Sequence, residues 1–418
     1  LVDAVAVGVR EPRRAGNHTS ETMSTTPVAL TLNAGSSSLK FGLYDIAAAP
    51  VEMAMGLIEN IGKAPRLKVH FGPGRTPVSR DLAATDAADH RSALTTALDL
   101  LRAQFPDARA SAVGHRVVHG GPGLAEPVVL TPGVMEELRR LSPFAPIHQP
   151  HNLAGIDAAM EAFPEALQVA CFDTAFHRSH PRVNDIFALP REYYDKGVRR
   201  YGFHGLSYDY ISGELKRIAP LIHEGRVIVA HLGNGASMCG MIGGRSVAST
   251  MGFTALDGLP MGTRTGQIDP GVIFYLVQQE GMSIDEVRQL FYSKSGLLGL
   301  SGLSHDMRAL EAAGTVEANE AIDYFVFRIR RELGGLAAAL GGLDALVFCG
   351  GIGENSRLIR ERVCEGMGWI GLELDRDRNA AGDTVISTDI SRARVMVVPT
   401  NEELVIARAA RKFLCAQS

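Results

Sequence analysis

The sequence lacks several features that mark familiar classes of protein. Its 418 residues contain five cysteines, at positions 171, 239, 349, 364 and 415, with no CxxC pair among them. That scattered spacing argues against a disulfide framework or a zinc site and is typical of free thiols in a reducing compartment. No apolar run reaches the ~18 residues that a membrane-spanning helix needs. We therefore expect a cytoplasmic protein with no membrane partner.

A strong charge of either sign is also missing. The formal net charge is −4, with 46% apolar and 21% charged residues, as in ordinary globular proteins. This balance argues against a nucleic-acid partner held by phosphate contacts. The GxxxxGK[ST] pattern is absent, which excludes a P-loop NTPase. The chain is too long for one ordinary core, so we expect two domains.

The first 26 residues differ from the rest of the chain. They read LVDAVAVGVREPRRAGNHTSETMSTT, begin with Leu, and contain Met23 just before the first long apolar run. They lack the basic start and long apolar core of a secretory signal. We interpret residues 1–26 as an extension that is either disordered or created by a mis-assigned start.

From residue 28 onward, apolar runs of strand length alternate with helical stretches. The predicted strands are VALTLNA, LKFGLYD and segments 110–121, 166–177 and 226–242, the last with a glycine turn; the predicted helices are 90–105 and 133–142; segment 345–363 predicts a strand, a glycine turn and a helix. This alternation indicates an α/β protein, whose ligands bind beyond the strand ends. Glycines seven residues apart flank two of the turns, 35–42 and 233–240. That weak repeat suggests a duplicated domain with a cleft between the copies.

Three glycine turns offer groups that bind phosphate. The first, Asn33–Lys40, supplies free backbone N–H groups, three serine hydroxyls and a lysine. The second, His231–Ser237, offers similar groups without the lysine. The third, Gly350–Asn355, follows a predicted strand and opens a helix, where an anion or the polar edge of a nucleotide is favoured. The alternative for each is an ordinary tight turn.

Charged residues in loops and at strand ends complete the candidate site. Arg116 in GHRVVHGG and Arg264 in MGTRTG have small neighbours, so both can reach into a cleft and hold a carboxylate or phosphate. Asp173 and Glu402 can hold a divalent ion, or simply cap helices. Three histidines without zinc-site spacing also lie in polar loops: His148, His204 and His231. Phosphoryl transfer uses such a set, because the protein's work there is positioning and charge neutralisation.

A series of long motifs gives the chain a recognisable relative. LNAGSSSLKF, GHRVVHGG, FDTAFH, RRYGFHGLSY, AHLGNGAS, MGTRTG, GGIGENS and PTNEEL follow one another between about residues 28 and 415. With these motifs the sequence resembles the acetate kinase (acetokinase) family of the acetate and sugar kinase/Hsp70/actin superfamily. The resemblance implies an α/β fold of duplicated actin-like (ribonuclease H-like) domains with the active-site cleft between them. It also implies a homodimer that transfers a phosphoryl group from ATP to acetate, reversibly and directly in line, giving acetyl phosphate and ADP with Mg²⁺ or Mn²⁺.

The resemblance further implies domain boundaries and a role for each motif residue. Residues 27–175, completed by helix 402–418, would form the N-terminal domain, and residues 176–401 the nucleotide-binding C-terminal domain. Asp173, His204, Arg264 and His148 would be catalytic; Arg116, Val118, Ile147 and Phe203 would bind the acyl substrate; Asn33 and Glu402 would hold the metal. The nucleotide would contact Lys40, Ser36, Ser38, His231, Leu232, Gly233, Asn234, Gly235, Asp306, Met307, Arg308, Gly351, Ile352, Gly353, Glu354 and Asn355.

Five residues depart from the family pattern. Ala255 stands where we expect proline, Ile147 where leucine is commoner, Gln149 in place of Asn, and Thr265 and Gln267 in place of Ser and Asp. We expect none of them to touch the charged residues. The first two bear on the acyl pocket, where one methylene discriminates by only ~1–3 kcal/mol.

Other functions therefore stay open. Within the family, the alternative is a propionate or butyrate kinase. A donor such as pyrophosphate would replace ATP only if the GGIGEN turn does not bind a nucleotide. From a different class, the superfamily offers an actin-like, ATP-dependent assembly protein, although such a protein has no use for an arginine that grips a carboxylate.

Overall fold

The structure, a computed structural model, describes residues 26–417. The extension predicted for residues 1–26 therefore lies outside the described residues, apart from its last position. The strands are β1 (Thr26–Ala34), β2 (Ser38–Asp45), β3 (Val51–Glu59), β4 (Arg66–Phe71), β5 (Val78–Asp81), β6 (Ala108–Val117), β7 (Val128–Val129), β8 (Leu167–Phe172), β9 (Arg226–Leu232), β10 (Ala236–Ile242), β11 (Arg245–Ser249), β12 (Ala345–Cys349) and β13 (Arg394–Val397).

Helices fill most of the remaining described chain. They are α1 (His90–Gln104), α2 (Pro132–Arg140), α3 (Gln149–Ala162), α4 (Arg182–Asp185), α5 (Arg191–Asp195), α6 (Gly205–Ile218), α7 (Pro220–His223), α8 (Pro270–Gln278), α9 (Ile284–Ser293), α10 (Gly296–Ser301), α11 (Met307–Ala313), α12 (Val316–Leu340), α13 (Gly350–Asn355), α14 (Arg357–Cys364), α15 (Arg376–Ala381) and α16 (Glu402–Gln417). Short 3₁₀ helices cover Ala84–Ala87, Ser142–Phe144, Ala175–Ser179 and Gly368–Ile370.

The two sheets share one strand arrangement. The first has the order β5-β4-β3-β2-β1-β6-β8-β7 and the second the order β11-β10-β9-β12-β13. In each, three antiparallel strands (β3-β2-β1 and β11-β10-β9) continue into two strands parallel to the last of them (β6-β8 and β12-β13). This shared order confirms the duplication that the two glycine turns suggested.

Most predicted elements lie where the sequence placed them. The helices predicted at 90–105 and 133–142 are α1 and α2, and segment 345–363 forms β12, α13 and α14. The strand predicted at 110–121 ends earlier, at Val117. Beyond it the backbone leaves the ladder, because the Val118 and Gly120 amides donate to the side chains of Asn152 and Thr174.

The last helix, α16, returns to the first sheet and packs on β1, β6 and β8. Gly114 in β6 permits this close approach, since a Cβ at that position would collide with Ile406. The helix begins at Glu402, as the sequence predicted. Its first turn is thereby delivered to the end of the first sheet where β6 and β8 finish.

The composition led us to expect free cysteines and no membrane-spanning helix. All five cysteines are free thiols; Cys415 is exposed and the other four are buried. Within residues 26–417, no helix combines the length and apolarity needed to cross a bilayer.

Candidate active site

The ends of β1, β6 and β8 bring three predicted site residues together. Arg116 donates from Nε to both carboxylate oxygens of Asp173 (3.1 Å each) and from Nη2 to Asp173 Oδ2 at 2.6 Å. Its Nη1 donates to Asn33 Oδ1 at 3.0 Å. Asp173 is only 1% exposed, and a buried carboxylate needs such a charge partner. The Arg116 side chain stays 20% exposed, so the cluster is not sealed from solvent.

The first turn of α16 adds two carboxyl groups to this cluster. Lys40 Nζ lies 2.7 Å from Glu403 Oε1. Burial raises the pKa of Glu402 to about 7, with Arg116 acting in the opposite direction and the Asp173 carboxylate adding to the rise. A carboxyl group whose pKa lies near 7 loses its proton readily when a cation binds beside it.

The donor set at this place fits magnesium. Asn33, Asp173 and Glu402 supply oxygen atoms, the ligands that Mg²⁺ prefers, and Mg²⁺ usually takes one or two carboxylates plus substrate phosphates and water. Among residues 26–417, no group of three or more His, Cys, Asp or Glu side chains is arranged to enclose a metal.

The first glycine turn is anchored on both sides. The Gly35 amide donates to Ser38 O at 2.8 Å, and His90 Nε2 from α1 lies 2.6 Å from Gly35 O. A Cβ at Gly35 would lie 2.7 Å from Ser38 Oγ, so only glycine leaves that hydroxyl its place. Ser36 is exposed at the tip, with its hydroxyl available to a ligand.

His204 immediately precedes α6 in the chain. Its φ of 57° is left-handed, which is uncommon for a residue other than glycine. His177 supports this backbone, because its Nε2 lies 2.9 Å from Phe203 O and its ring fills the space beside Gly202. The His204 ring stacks on His231 with centroids 4.3 Å apart. Burial lowers the pKa of His204 well below 6.5, and lowers that of His231 to about 4, so both rings are neutral at pH 7.

Arg264 reaches the cleft from a loop of the second half of the chain. It donates from Nη1 to Ala255 O at 3.0 Å and from Nη2 to His148 Nε2 at 3.4 Å. Burial, followed by the charge of Arg264, lowers the pKa of His148 to about 3. The expectation that no departure from the family pattern touches a charged residue is wrong for Ala255, whose carbonyl positions the guanidinium. A proline would keep that carbonyl.

A small cavity of about 10 Å³, roughly the space of one water, adjoins these groups. It is lined by Val118, Phe144, Ala145, Pro146, Ile147, His148, Phe203, Thr254, Ala255 and Tyr292. The structure thus brings all three apolar residues predicted for the acyl pocket together, next to His148. The motifs did not point to Thr254 or Tyr292, which lie between recognised segments.

A larger cavity of about 680 Å³ opens on the second sheet. It is lined by Gly233, Asn234, His305, Asp306, Met307, Arg308, Glu311, Gly351, Ile352, Asn355 and Ser356. Its size suits a nucleotide. The sequence analysis assigned no role to His305, Glu311 or Ser356.

Some residues predicted for the nucleotide site lie apart from that cavity. His231, Leu232, Gly235, Gly353 and Glu354 do not line it, and neither do Ser36, Ser38 and Lys40 of the first sheet. Glu354 has a different task in this structure. Its Oε1 accepts from the amides of Gly350 (2.8 Å) and Thr400 (3.1 Å), which ties the third glycine turn to the segment before Glu402.

Two further residues contact His204: Tyr208, which was not predicted, and Ser237, which was predicted only as the last residue of the second glycine turn. Tyr208 lies one helical turn after His204 in α6, and Ser237 lies in β10 opposite His231. The i, i+4 spacing of His204 and Tyr208 in FHGLSY was the available sequence signal.

Solved structures share this architecture. The crystal structure of Porphyromonas gingivalis acetate kinase matches with a TM-score of 0.83 at 38% identity, covering 93% of this chain and 100% of that one. A propionate kinase from Francisella tularensis subsp. tularensis matches with a TM-score of 0.85 at 35% identity, covering 92% and 99%. The fold is therefore the duplicated actin-like fold of small-carboxylate kinases, as the sequence predicted.

Sequence comparison agrees with the fold. The profile of the acetokinase family matches residues 28–408. Acetate kinase of Methylocella silvestris is 60% identical over 387 residues, which cover 91% of this chain and 96% of that protein. The chain belongs to the acetokinase family.

Proposed function

We propose that this protein transfers the γ-phosphoryl group of ATP to acetate, reversibly and with Mg²⁺, giving acetyl phosphate and ADP. The observation that carries the proposal is the place of Arg116. Its guanidinium is hydrogen-bonded to Asn33 and Asp173, and Val118, which lines the small apolar cavity, follows two residues further along the chain. The names of the relatives in M. silvestris and P. gingivalis support acetate as the substrate.

Acetate needs little activation. Its carboxylate is already ionised at pH 7, so the attacking oxygen requires no general base. Arg116 would hold the carboxylate while the methyl group enters the cavity beside Val118, Ile147 and Phe203. A carboxylate oxygen would then be free to point toward Arg264 and His148 of the site.

The main obstacle is the approach of two anions. Arg116 and Arg264 would offset this repulsion, with Arg264 acting on the charge of the transferring group. Neutral His204 and His148 would add hydrogen bonds without adding charge. When bound, magnesium would neutralise phosphate oxygens, and Asn33 and Glu402 would hold it beside Asp173.

The nucleotide would occupy the 680 Å³ cavity, with its phosphates toward the cleft. The glycine turn at Gly233–Gly235 and the start of α13 would provide unobstructed backbone on that side. Ser36, Ser38 and Lys40 would face the phosphates from the first sheet. This arrangement supports domain boundaries at 27–175 plus 402–418 and at 176–401, because α16 packs on the first sheet.

A longer acyl group is the second candidate substrate. Ala255 lines the cavity with a side chain smaller than proline, and the matching F. tularensis structure is described as a propionate kinase. Propionate would place one more carbon against this wall. The chemistry at Arg116 would be unchanged.

A homodimer in the cytoplasm is the proposed state of the protein. Helix α8 is strongly apolar, yet none of its residues is buried, and Phe274 is 61% exposed. An apolar helix left uncovered is typical of a protein interface, and we assign it to a second copy of this chain. The free thiols fit a reducing compartment.

A hydroxylamine trap tests the reaction directly. Purified protein with ATP and Mg²⁺ receives acetate, propionate or butyrate, and acyl hydroxamate is measured. The greatest yield from acetate supports the proposal, and a preference for a longer acid keeps the mechanism but changes the substrate. With no product from any acid, sedimentation with and without ATP decides between an inactive dimer and ATP-dependent polymers, the mark of an assembly protein.

A further inference from the structure

A buried chain of hydroxyl groups ends on the ring of His204. Tyr208 Oη lies 2.5 Å from Ser237 Oγ, and Ser237 Oγ lies 2.8 Å from His204 Nδ1. Tyr208 and Ser237 are both 0% exposed. Water cannot therefore replace either partner, and the hydrogen atoms must be shared among these three groups.

The number of available protons fixes the direction of this chain. Ser237 is the only hydrogen-bond partner of the Tyr208 hydroxyl within residues 26–417, so Tyr208 must donate to it to avoid a buried, unsatisfied O–H. Ser237 then has its own proton left for its other neighbour, His204 Nδ1. A ring nitrogen that accepts a hydrogen bond carries no proton.

The protonation states of the end groups agree with this direction. Burial raises the pKa of Tyr208 well above 10, so the phenol keeps its proton. Burial also lowers the pKa of His204 well below 6.5, so the imidazole carries one proton only. With Nδ1 accepting, that proton resides on Nε2.

The Nε2 atom faces the second glycine turn. A Cβ built on Gly235 would lie 3.1 Å from Nε2, so the lack of a side chain at Gly235 leaves space in front of this nitrogen. An N–H directed there attracts an anionic oxygen. The other tautomer would present a lone pair at Nε2, which repels an anionic oxygen.

We propose that Tyr208 and Ser237 are positioning residues that lock His204 as its Nε2–H tautomer and thereby aim a hydrogen-bond donor at the transferring phosphoryl group. The inference rests on the proposed function for the identity of the anion, but the tautomer itself is a property of the protein alone.

The tautomer is tested first, without turnover. Histidine labelled with ¹⁵N is incorporated into the full chain, and the two ring nitrogens of His204 are assigned by their loss in His204→Gln. We expect the proton on Nε2 across the neutral pH range, and a mixture of tautomers in Ser237→Ala. A proton on Nδ1 in the unaltered protein overturns the proposal.

Kinetics then test whether fixing the tautomer of His204 contributes to phosphoryl transfer. Ser237→Ala should lower kcat roughly tenfold, less than the ~10²–10³ that loss of an oxyanion donor costs, with KM for ATP and acetate nearly unchanged. Tyr208→Phe should cost less, because Ser237 keeps a proton to donate. Ser212→Ala, which removes a hydrogen bond to Gly244 O further along α6, is the matched control and should leave kcat unchanged.

A double-mutant cycle separates this role from simple support of the fold. In a His204→Ala background, Ser237→Ala should cause no further loss of kcat, because its effect passes through the missing imidazole. Full additivity overturns the proposal. Should the unaltered protein form no acyl phosphate, the proposed function fails, and the ¹⁵N measurement still decides the tautomer.

Discussion

The two halves of the molecule carry opposite chemistry at corresponding positions. In the first sheet, the amide that follows β8 belongs to Asp173 and donates to Val117 O at 3.0 Å. In the second sheet, the amide that follows β13 belongs to Val398 and donates to Phe348 O at the same distance. One scaffold position therefore holds a catalytic candidate in one half and a buried valine in the other.

The same contrast recurs in neighbouring strands. Val117 and Phe348, whose carbonyl oxygens accept these hydrogen bonds, are preceded by Arg116 in β6 and by Val347 in β12. In the hairpins, Asn33 pairs with Lys40 across β1 and β2, whereas His231 pairs with Ser237 across β9 and β10. The first half concentrates charge, and the second positions neutral groups.

Burial explains why the charges are kept together. A buried charge is tolerated only with partners, and each partner in turn needs its own. Once Asp173 is placed, Arg116 and Asn33 follow from it. A neutral imidazole such as His231 needs only a hydrogen bond, so the second half can approach the nucleotide without a matching set of counter-charges.

Arg264 is an exception to this contrast, and removing it should have the largest effect. It is a cation from the second half, it forms no ion pair within residues 26–417, and burial lowers its pKa. Such a group is stabilised when an anion arrives. We expect Arg264→Ala to lower kcat on the order of 10³-fold, by analogy with arginine fingers, while ATP binding persists.

The control for this variant is Arg139→Ala, which removes an exposed ion pair with Asp157 on α2 and α3. Exposed pairs contribute ~0–1 kcal/mol, so turnover should be normal. Near-normal turnover in Arg264→Ala itself, measured with the hydroxylamine trap, would contradict the role of Arg264.

Placing a charge in the neutral half should have the next largest effect. Val398→Asp puts a carboxylate at the position of Asp173 but offers it Val347 where the first sheet has Arg116. We expect the free energy of unfolding to fall by ~3 kcal/mol, the cost of an unpaired buried charge. Burial would raise the pKa of the new carboxyl group above its unfolded value, so the loss should grow as pH rises above ~4.

Urea unfolding at pH 5 and pH 8 measures this loss, with Val398→Ala as the control for lost packing. The alanine variant should show no added pH dependence. If the aspartate variant is as stable as the alanine variant at pH 8, the two halves do not differ in their tolerance of charge.

The sequence predicted the charged half better than the neutral one. Arg116 and Asp173 were found because small neighbours and strand ends are local signals. The Lys40–Glu403 ion pair was not foreseen, because it joins the two ends of the chain through the return of α16. Similarly, Tyr208 and Ser237 act through a contact between α6 and β10, and no spacing within one segment reveals the direction of a hydrogen bond.

Glu402, in the charged half, should make the affinity for magnesium depend on pH by about one order of magnitude. Its pKa of about 7 means that the carboxyl group is mostly protonated at pH 6 and mostly ionised at pH 8. If Glu402 holds magnesium as proposed, the ion must displace that proton, so the affinity for magnesium should rise roughly tenfold over this range. Glu402→Gln should bind magnesium weakly and lose this pH dependence.

Calorimetric titration of magnesium with ATP present measures both quantities. The exposed Glu365→Gln is the control and should retain the pH dependence of the unaltered protein. A Glu402→Gln variant that retains it would place the titrating group elsewhere.

The smallest effect is expected where the two halves meet, at the acyl cavity. Val118 lines it from the first half and Ala255 from the second. Ala255→Pro adds two carbons to the wall while keeping the carbonyl that positions Arg264, so propionate should lose more than acetate. A hydrophobic pocket discriminates one methylene by ~10–200-fold at most, and we expect the ratio of kcat/KM for acetate over propionate to rise severalfold.

The matched control is Ile147→Leu, a volume-conserving change on the same cavity, which should move the ratio less. A rise in the ratio only with Ala255→Pro would show that the neutral half sets the length of the substrate while the charged half holds its carboxylate. An unchanged ratio in both variants would assign that length to Val118 and Phe203 instead, and the division of labour between the two halves would then stop at the charges.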